Sequence, residues 1–505
     1  MRKFLLAGLL PAAAVCSQYD YAFDRSTPGV LGQPLTFAFS GAPAGTALLF
    51  MLSSNNGPFP LSFVSPGDTR SLEVGIELAS VWFPVGTGAG SGSVAIPTPN
   101  NPSLHALTLQ FQTLTLPGAI YLVDKLSNPV AAQLGESGRG ALLAATLGTP
   151  RGLAGMTQQD SNGEILMAGG GGGSILAPIG LDTSEVFDVR RLTVRAGPRL
   201  TSARALGVTG TLTDGRTLLC GGVDALGNVL NSAELYDPAQ RRFVATGTMG
   251  SRRCLHAGTR LADGRVLVMG GTTTLTDAVA ALTNAQATAE VYNPATGTWS
   301  SVPSAAKRLL APGLDALSNG RALLSGGFEV TVLFGIPIPI GSVAACQSFN
   351  PATNTWAGAT AMRSARAMHD ATAITLPNGD LLVTGGATSG PDLTAATSTN
   401  KAETYNPTTN VWTALPDMYQ ACLGHSLALL AGRAVVAGGA QGTLAAAISI
   451  DTVQALDLGT RTWSLLPTLT GPRGGQGSGV TADGLLVMMG GQGASNSLSS
   501  VETLR

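Results

Sequence analysis

A glycine, five mostly apolar residues and a glycine pair form a phrase that recurs along the C-terminal part of the chain. The phrases begin at residues 163, 215, 264, 320, 379, 432 and 484. Because apolar residues follow one another instead of alternating with polar ones, each phrase predicts a strand that is buried on both faces. Six of the seven phrases are entered through Asn-Gly or Asp-Gly, which supply the positive φ angles of a tight hairpin turn.

A second pattern follows most of these phrases. A strand ends in an aromatic residue, then Asp or Asn, then Pro, as at Tyr236, Tyr292 and Tyr405. Another aromatic residue stands seven positions later, for example Trp299 after Tyr292. This fixed spacing across a turn predicts a second hairpin. Two hairpins in each period of about 53 residues indicate the four-stranded blades of a β-propeller.

Together these motifs resemble the kelch family. The glycine pair, the Tyr-Asp-Pro-like turn and the Trp recur in register over about residues 138–505. The resemblance implies an all-β, seven-bladed kelch-type β-propeller and, by itself, no single activity. Two repeats depart from the pattern, because Val194 replaces the Trp of the first and Leu456 replaces the first aromatic residue of the sixth.

The two ends of the repeat array predict how the ring closes. Residues 501–505 align with the third strand of the other repeats, and no fourth strand follows them in the sequence. Residues 140–151 precede the first glycine pair and resemble the ends of other repeats, so we expect them to supply the missing strand. Their pairing would close the propeller and remove exposed sheet edges.

Residues 17–137 lack the repeat and predict a separate Ig-like β-sandwich ahead of the propeller at 138–505. Side-chain alternation reverses its parity after Phe111, which predicts a β-bulge. Residues 127–137 are expected to form the linker. The strand candidates are residues 34–39, 47–52, 71–78 and 120–124.

The N-terminus has the features of an export signal. Met1-Arg2-Lys3 provides a basic start and an apolar stretch continues to Val15, so we expect residues 1–16 to be a signal peptide. Cys16 offers a lipid anchor as an alternative. No other segment has the roughly 18 consecutive apolar residues of a transmembrane helix. We therefore expect a monomer that is secreted, periplasmic or held at the cell surface.

Composition excludes further classes. Lys and Arg number 29 and Asp and Glu 30, and the net charge of −1 offers no basic surface to a nucleic acid. The cysteines outside the export signal lie tens of residues apart and match no metal-ligand spacing. We therefore expect no metal and no other cofactor. These cysteines are Cys220, Cys254, Cys346 and Cys422.

Differences among the repeats predict where a ligand binds. Both hairpin turns have fixed lengths, whereas the loop after the glycine pair and the connection to the next repeat vary. Strand alternation places these variable segments on one face of the propeller, the loop face, where binding is expected. Three histidines at equivalent positions, with neighbouring residues, are candidates for a polar or anion-binding ring around the channel mouth. A repeated structural hydrogen bond is the alternative, and we favour it. The candidate residues are Arg252, His256, Arg366, His369, Tyr419 and His425.

Carboxylates recur two residues before the aromatic position in five repeats, and Gln347 and Gln454 occupy that position in the other two. Catalysis would require only one or two carboxylates, so we expect a structural role for the set. They would accept hydrogen bonds from backbone amides or from recurring arginines. The candidate arginines are Arg199, Arg252, Arg366 and Arg473.

Two functions compete. The first is a non-catalytic exported protein that binds a glycan or a protein partner through the loop face. The alternative is a secreted copper-radical or carbohydrate-active enzyme, because kelch propellers occur in oxidases resembling galactose oxidase. Only Tyr419, Cys422 and His425 approach the residue types that such a copper site requires. No nucleophile motif is present either, so we expect a binding protein.

Overall fold

The computed structural model describes residues 19–61, 68–74, 84–86, 90–116, 123–157, 160, 162–369 and 372–505. The regular secondary structure of the described residues is almost entirely β-strand, with one short helix at Ala278–Thr283 and 3₁₀ turns at Pro102–Leu104 and Leu444–Ala446. None of these helices has the length and apolarity to span a membrane. The proposed signal peptide, with Cys16, lies outside the described residues.

Seven four-stranded antiparallel sheets occupy the described chain from residue 141 onward, and we number them 1 to 7 along the chain. The strands of each sheet are named in order from the innermost to the outermost. Sheet 1 contains Gly155–Met156, Glu164–Ala168, Ser184–Asp188 and Thr193–Ala196. Sheet 2 contains Val208–Thr211, Thr217–Cys220, Ala233–Asp237 and Arg242–Ala245. Sheet 3 contains Ala257–Arg260, Val266–Met269, Ala289–Asn293 and Thr298–Val302.

Sheet 4 contains Gly313–Ala316, Ala322–Ser325, Cys346–Asn350 and Thr355–Ala359. Sheet 5 contains Ala373–Thr375, Leu381–Thr384, Ala402–Asn406 and Val411–Ala414. Sheet 6 contains Ser426–Leu430, Arg433–Ala437, Val453–Asp457 and Trp463–Leu466. Sheet 7 contains Gly477–Val480, Leu486–Met489, Ser500–Leu504 and Ala141–Thr146.

These sheets pack as in a β-propeller. The second strands of six sheets are buried along their whole length, and that of sheet 6 is buried except at Arg433, as the continuous apolar runs predict. The first strand of sheet 7 contacts the first strand of sheet 1, so sheet packing continues from the last sheet to the first. The predicted pairing of the two ends of the array is confirmed, because Ala141–Thr146 pairs with Ser500–Leu504 and places Ala141 opposite Thr503.

Additional elements extend the loop face. A long hairpin, Phe328–Leu333 and Ile336–Ser342, follows the second strand of sheet 4 and pairs with Arg308–Leu310. Shorter hairpins lie in the corresponding loops of sheets 1, 5 and 6. Their strands are Gly171–Ser174 with Ala177–Gly180, Ala387–Thr388 with Thr397–Ser398, and Ala440–Gln441 with Ile448–Ser449.

The N-terminal segment contains three further sheets. One consists of Ala22–Arg25, Leu35–Ser40 and Ser91–Ile96, and a hairpin consists of Asn56–Pro60 and Ser71–Val74. Phe23, Phe37, Phe50 and Phe111 form an aromatic core between the first of these sheets and the largest one. The strands of the largest sheet are Pro84–Gly86, Ala47–Ser53, Thr108–Leu116 and Val130–Gln133.

Two expectations for this segment are wrong. No bulge interrupts the pairing of Thr108–Leu116 with Ala47–Ser53, which has no register shift. On the other side the pairing shifts by one residue between Phe111–Val130 and Leu114–Leu126, and the extra residue lies in the segment that ends at Val130. The strand from Gln110 to Thr115 is buried on both faces, and this double burial explains why polarity does not alternate there. The proposed linker is also structured, since Val130–Gln133 is a buried strand. The strand candidate at 120–124 lies mostly outside the described residues.

Contacts join the N-terminal sheets to sheet 7. The Arg505 guanidinium is buried and donates hydrogen bonds to the carbonyls of Pro28 and Gln133, at 2.8 and 2.6 Å. Burial lowers the pKa of Arg505 to about 9. Arg25 forms an ion pair of 2.5 Å with Asp483, and both side chains are buried. The region that was expected to be a linker is therefore part of a packed interface, the joint, between the N-terminal sheets and sheet 7.

Candidate functional site

The recurring carboxylates are scaffold elements, as expected. In sheet 5 the Glu403 side chain accepts hydrogen bonds from the backbone amides of Arg363 and Ser364 and from the Arg366 guanidinium, the last at 2.7 Å. Arg366 also donates to the carbonyls of Gly385 and Lys401. Equivalent buried ion pairs occur in four other sheets. They are Arg151–Glu185, Arg204–Glu234, Arg253–Glu290 and Arg473–Glu502.

Two of the four arginines proposed as partners were the wrong ones. Arg199 is exposed and pairs with Asp182, while Arg204 forms the buried ion pair with Glu234. Arg252 donates to the carbonyl of Val229, and its neighbour Arg253 forms the buried pair. In both cases a second arginine, five residues or one residue further along the chain, occupies the buried position.

The two repeats with glutamine lack the arginine as well. Leu309 and Cys422 occupy the arginine position in sheets 4 and 6. Gln347 accepts a hydrogen bond from the amide of Ala306 at 3.0 Å, and Gln454 accepts one from the amide of Gln420 at 3.2 Å. Neutral glutamine thus replaces the carboxylate wherever the cation is missing, which avoids an unpaired buried charge.

The candidate histidines do not form a polar ring at the channel mouth. The side chains of His256, His369 and His425 are all buried. A ring nitrogen of His369 lies 2.9 Å from the Ser325 hydroxyl, and one of His425 lies 2.9 Å from the Thr384 hydroxyl. Each of these two histidines thus contacts the residue before the glycine pair of the preceding sheet. Their geometry is that of a repeated structural hydrogen bond.

Burial governs the titration of His256 and His425. It lowers the pKa of His425 to about 3 and that of His256 well below its usual range, with further lowering of the latter by Arg253 and Arg204. Both rings are therefore neutral at pH 7 and attract no anion. Gln476 occupies the same position in sheet 7 and donates a hydrogen bond of 2.9 Å to the Ser426 hydroxyl, which shows that the position does not require a titratable group.

Of the other three candidates, Arg366 is fully buried in its ion pair. Arg252 and Tyr419 are exposed on the loop face. Tyr419 is far more exposed than Cys422 and His425, so the three residue types proposed for copper do not converge on one accessible site. Burial raises the pKa of Cys422 to about 12. Among the described residues, no group of three His, Cys, Asp or Glu side chains has the geometry to hold a metal ion.

Apolar residues lie where the chain enters five of the sheets on the loop face. Just before the first strand of each of five sheets, one residue has a left-handed backbone conformation, with φ between 49° and 58°. The amide of Ala311 donates to the carbonyl of Leu255 at 2.9 Å, and the amide of Met368 donates to the carbonyl of Ala311 at 2.8 Å. The side chains pack on a hydrophobic cluster formed by the loops. The five residues are Leu153, Leu206, Leu255, Ala311 and Met368.

The exposed groups that distinguish the loop face are also apolar. At the tip of the long hairpin, Phe334 is 102% exposed, and the flanking Leu333 and Ile336 are 51% and 63% exposed. Loops of other sheets contribute Ile179, Leu226, Val279 and Ile448. The variable loops after the glycine pairs were expected on this face, but the sequence did not indicate the exposed apolar surface of the loop in sheet 4, because apolar runs usually predict burial.

Comparisons with known proteins agree with this fold. The Kelch motif model matches residues 253–305 and 371–419. Kelch-like protein 21 from Homo sapiens and from Bos taurus is 40% identical over 78 residues, which cover 15% of this chain and 13% of those proteins. The chain thus matches only a small part of these relatives.

One solved structure is described as a novel fungal alcohol oxidase of the AA5 family in complex with copper. It is similar with a TM-score of 0.53 and 15% identity, over 73% of this chain and 76% of that one. At this identity the likeness concerns the fold alone. The motif matches, the recurring phrases and the four-stranded sheets together confirm the resemblance to kelch-repeat β-propellers.

Proposed function

We propose that the chain is a binding protein that uses the loop face to hold a protein partner, with the hairpin Phe328–Ser342 at the centre of the contact. The observation that carries this proposal is the fully exposed Phe334 at the hairpin tip. Exposed apolar clusters on a soluble surface are typical of interaction sites. Aromatic residues also dominate the energetics of protein interfaces.

The backbone at the tip supports a selected role for this side chain. Phe334 and Gly335 form the turn, with φ of 51° and 82°. Two positive φ angles define the type I′ turn, for which Asn-Gly is favoured, and a bulky residue in this conformation costs about 1–2 kcal/mol. Asparagine would relieve this strain, so we attribute the phenylalanine to binding and not to folding.

The hairpin favours recognition through side chains. Leu333 faces Ile336 across the strands, and Thr331 faces Ile338, so one surface of the hairpin is mainly aliphatic. Pro337 and Pro339 lie in the outer strand and lack backbone N–H donors, which hinders addition of a partner strand. An apolar cleft on a protein complements this surface better than a glycan, whose hydroxyl groups require polar partners.

The remaining architecture is part of the same proposal. The seven sheets are the blades of one closed ring, and residues 17–137 form an Ig-like sandwich packed against it. Residues 1–16 direct export, so the binding protein acts outside the cytoplasm as a monomer. N-terminal sequencing of the protein recovered from the source cells tests the cleavage site, and mass spectrometry tests for a lipid on Cys16.

The main experiment places a photo-cross-linking amino acid at position 334 in the source cells, with position 354 in a tight turn of the opposite face as the control. A protein cross-linked from 334 and absent from 354 is then purified, and its affinity is measured for wild type and for Phe334→Asn. The variant should fold with unchanged or higher stability and lose at least tenfold in affinity, because the anchor side chain is gone. Equal affinity would refute the proposal. So would self-association through the hairpin, or binding of the tip to neutral phosphatidylcholine vesicles without a protein partner.

A further inference from the structure

A second candidate site lies between the N-terminal sheets and sheet 1, away from the loop face. It is a half-open cavity of about 510 Å³, within the range that holds small-molecule ligands. Tyr19, Asp20, Arg70 and Glu73 line it from the N-terminal side, and Arg191 lines it from the outer hairpin of sheet 1. The N-terminal segment and the outer hairpin of sheet 1 thus line this cavity together.

The charged groups of this cavity are already paired with one another. The Arg191 guanidinium donates to Glu73 at 2.9 Å, to the Tyr19 hydroxyl at 2.8 Å and to Asp188 at 3.2 Å. Tyr19 in turn donates to Glu73. These contacts connect both sides of the cavity through one hydrogen-bonded network.

A second network forms the opposite part of the wall. Arg70 donates to both oxygens of the buried Asp68, at 3.0 and 2.8 Å, and lies 4.0 Å from Asp20. Lys125 lies 3.3 Å from Asp20. Two arginines and two carboxylates thus reach the cavity, and their charges cancel.

This pairing determines the class of ligand. An anion or a cation could enter only by separating one of the pairs, which would leave an opposite charge without its partner. A carboxylate accepts up to about four hydrogen bonds, and a guanidinium has five donors in a fixed fork. Paired groups of this kind can therefore still bind neutral hydroxyl groups. A neutral ligand without hydroxyls would instead desolvate them without compensation.

We propose that this cavity binds a neutral saccharide unit, with the hydroxyl groups against the Glu73–Arg191 and Asp20–Arg70 pairs. Leu126, Pro58 and Pro129 supply apolar surface for the C–H groups of the sugar ring. This site is independent of the protein partner proposed for the loop face. The molecule would then hold a saccharide in this cavity and a protein at the loop face.

The test is isothermal titration calorimetry of the full chain with methyl glucoside, methyl galactoside, maltose and cellobiose, with glucuronic acid and glucosamine as charged controls. Thr69→Trp is the blocking variant, because Thr69 is exposed at the cavity wall and a bulky ring there fills the space without removing a charged pair. Thr409→Trp, at an exposed turn of sheet 5, is the matched control.

We expect at least one neutral sugar to bind wild type and Thr409→Trp, with at least tenfold weaker binding to Thr69→Trp. Binding of the charged sugars alone, binding of none, or equal binding to Thr69→Trp would overturn the proposal. Phe334→Asn should leave sugar binding unchanged, and Thr69→Trp should leave the protein partner bound. The two proposals can therefore fail separately.

Discussion

Replacing the buried ion pair Arg366–Glu403 of sheet 5 by the neutral Leu and Gln of sheet 4 should lower the free energy of unfolding less than removing one member of the pair. Arg366→Leu leaves Glu403 charged at a site that is 1% exposed and held only by two backbone amides. Glu403→Gln leaves the Arg366 cation without its counter-charge. Removal of one member of a buried pair costs about 3–5 kcal/mol, so each single variant should lose that much stability.

The double variant Arg366→Leu/Glu403→Gln reproduces Leu309 and Gln347 of sheet 4. No buried charge then lacks a partner. The remaining loss comes from the carbonyls of Gly385 and Lys401, which no longer receive the Arg366 hydrogen bonds. The Lys401 carbonyl still accepts a hydrogen bond from the Gly385 amide, so the Gly385 carbonyl is the group that loses its donor. We therefore expect a total cost of about 1–3 kcal/mol, the cost of one unsatisfied buried polar group. The double variant should therefore be more stable than either single variant.

Urea-induced unfolding at pH 7, followed by tryptophan fluorescence, measures these differences. Trp412 is a suitable reporter because it is buried in sheet 5 and packs on Tyr405. Arg199→Leu is the control, since the exposed pair with Asp182 is worth about 0–1 kcal/mol. If the cost of the double variant equals the sum of the two single costs, charge pairing does not explain the joint occurrence of Gln and Leu.

Three further predictions concern the scaffold. His425→Gln, which copies Gln476 of sheet 7, should reduce the loss of stability in acid. Burial lowers the pKa of His425 to about 3, so the stability that the neutral ring contributes is complete above the ordinary pKa of 6.5 and falls by about 1.4 kcal/mol per pH unit towards pH 3. Urea titrations of wild type and variant at pH 7 and pH 5 measure how much stability each loses between the two pH values. An equal loss in both proteins would contradict the assignment. Gly326→Ala should lower the thermal midpoint much more than Gly335→Ala, because both have positive φ but only at Gly326 would a Cβ meet a carbonyl oxygen at 2.2 Å; equal effects would show that backbone strain alone decides. Arg505→Met should cost about 2–4 kcal/mol and speed hydrogen exchange in Val130–Gln133, because the buried Gln133 carbonyl loses its donor; unchanged exchange would show that this contact does not stabilise the joint.

Features that recur in every repeat could be predicted from the sequence, because each repeat meets the same local requirement. The glycine phrases indicated the second strands, and the ends of the array indicated the pairing of Ala141–Thr146 with Ser500–Leu504. The partner of each carboxylate was harder to assign. Arg252 and Arg253 are adjacent and chemically identical, and only the register of the chain entering sheet 3 decides which one is buried.

The N-terminal segment shows a second limit. Alternation of polar and apolar residues indicates which face of a strand is buried only when the other face meets water. Gln112 and Thr113 are both fully buried, since the strand Thr108–Leu116 is covered on both sides, and its parity therefore carried no information about a bulge. The cavity between the N-terminal sheets and sheet 1 depends on how two parts pack together, which no local pattern encodes.

Recurrence also explains why the candidate histidines are structural residues and do not form a binding site. A side chain that occupies the same position in several repeats serves a need common to those repeats, and in this fold that need is contact with the preceding sheet. His369 and His425 meet this description, and both are buried. A partner that binds once per ring must instead be recognised by something that occurs once. Among the described residues the long hairpin of sheet 4 is such a feature, with a strained, fully exposed Phe334 at its tip. For a repeat fold, departures from the repeat are therefore better indicators of a binding site than the repeat itself.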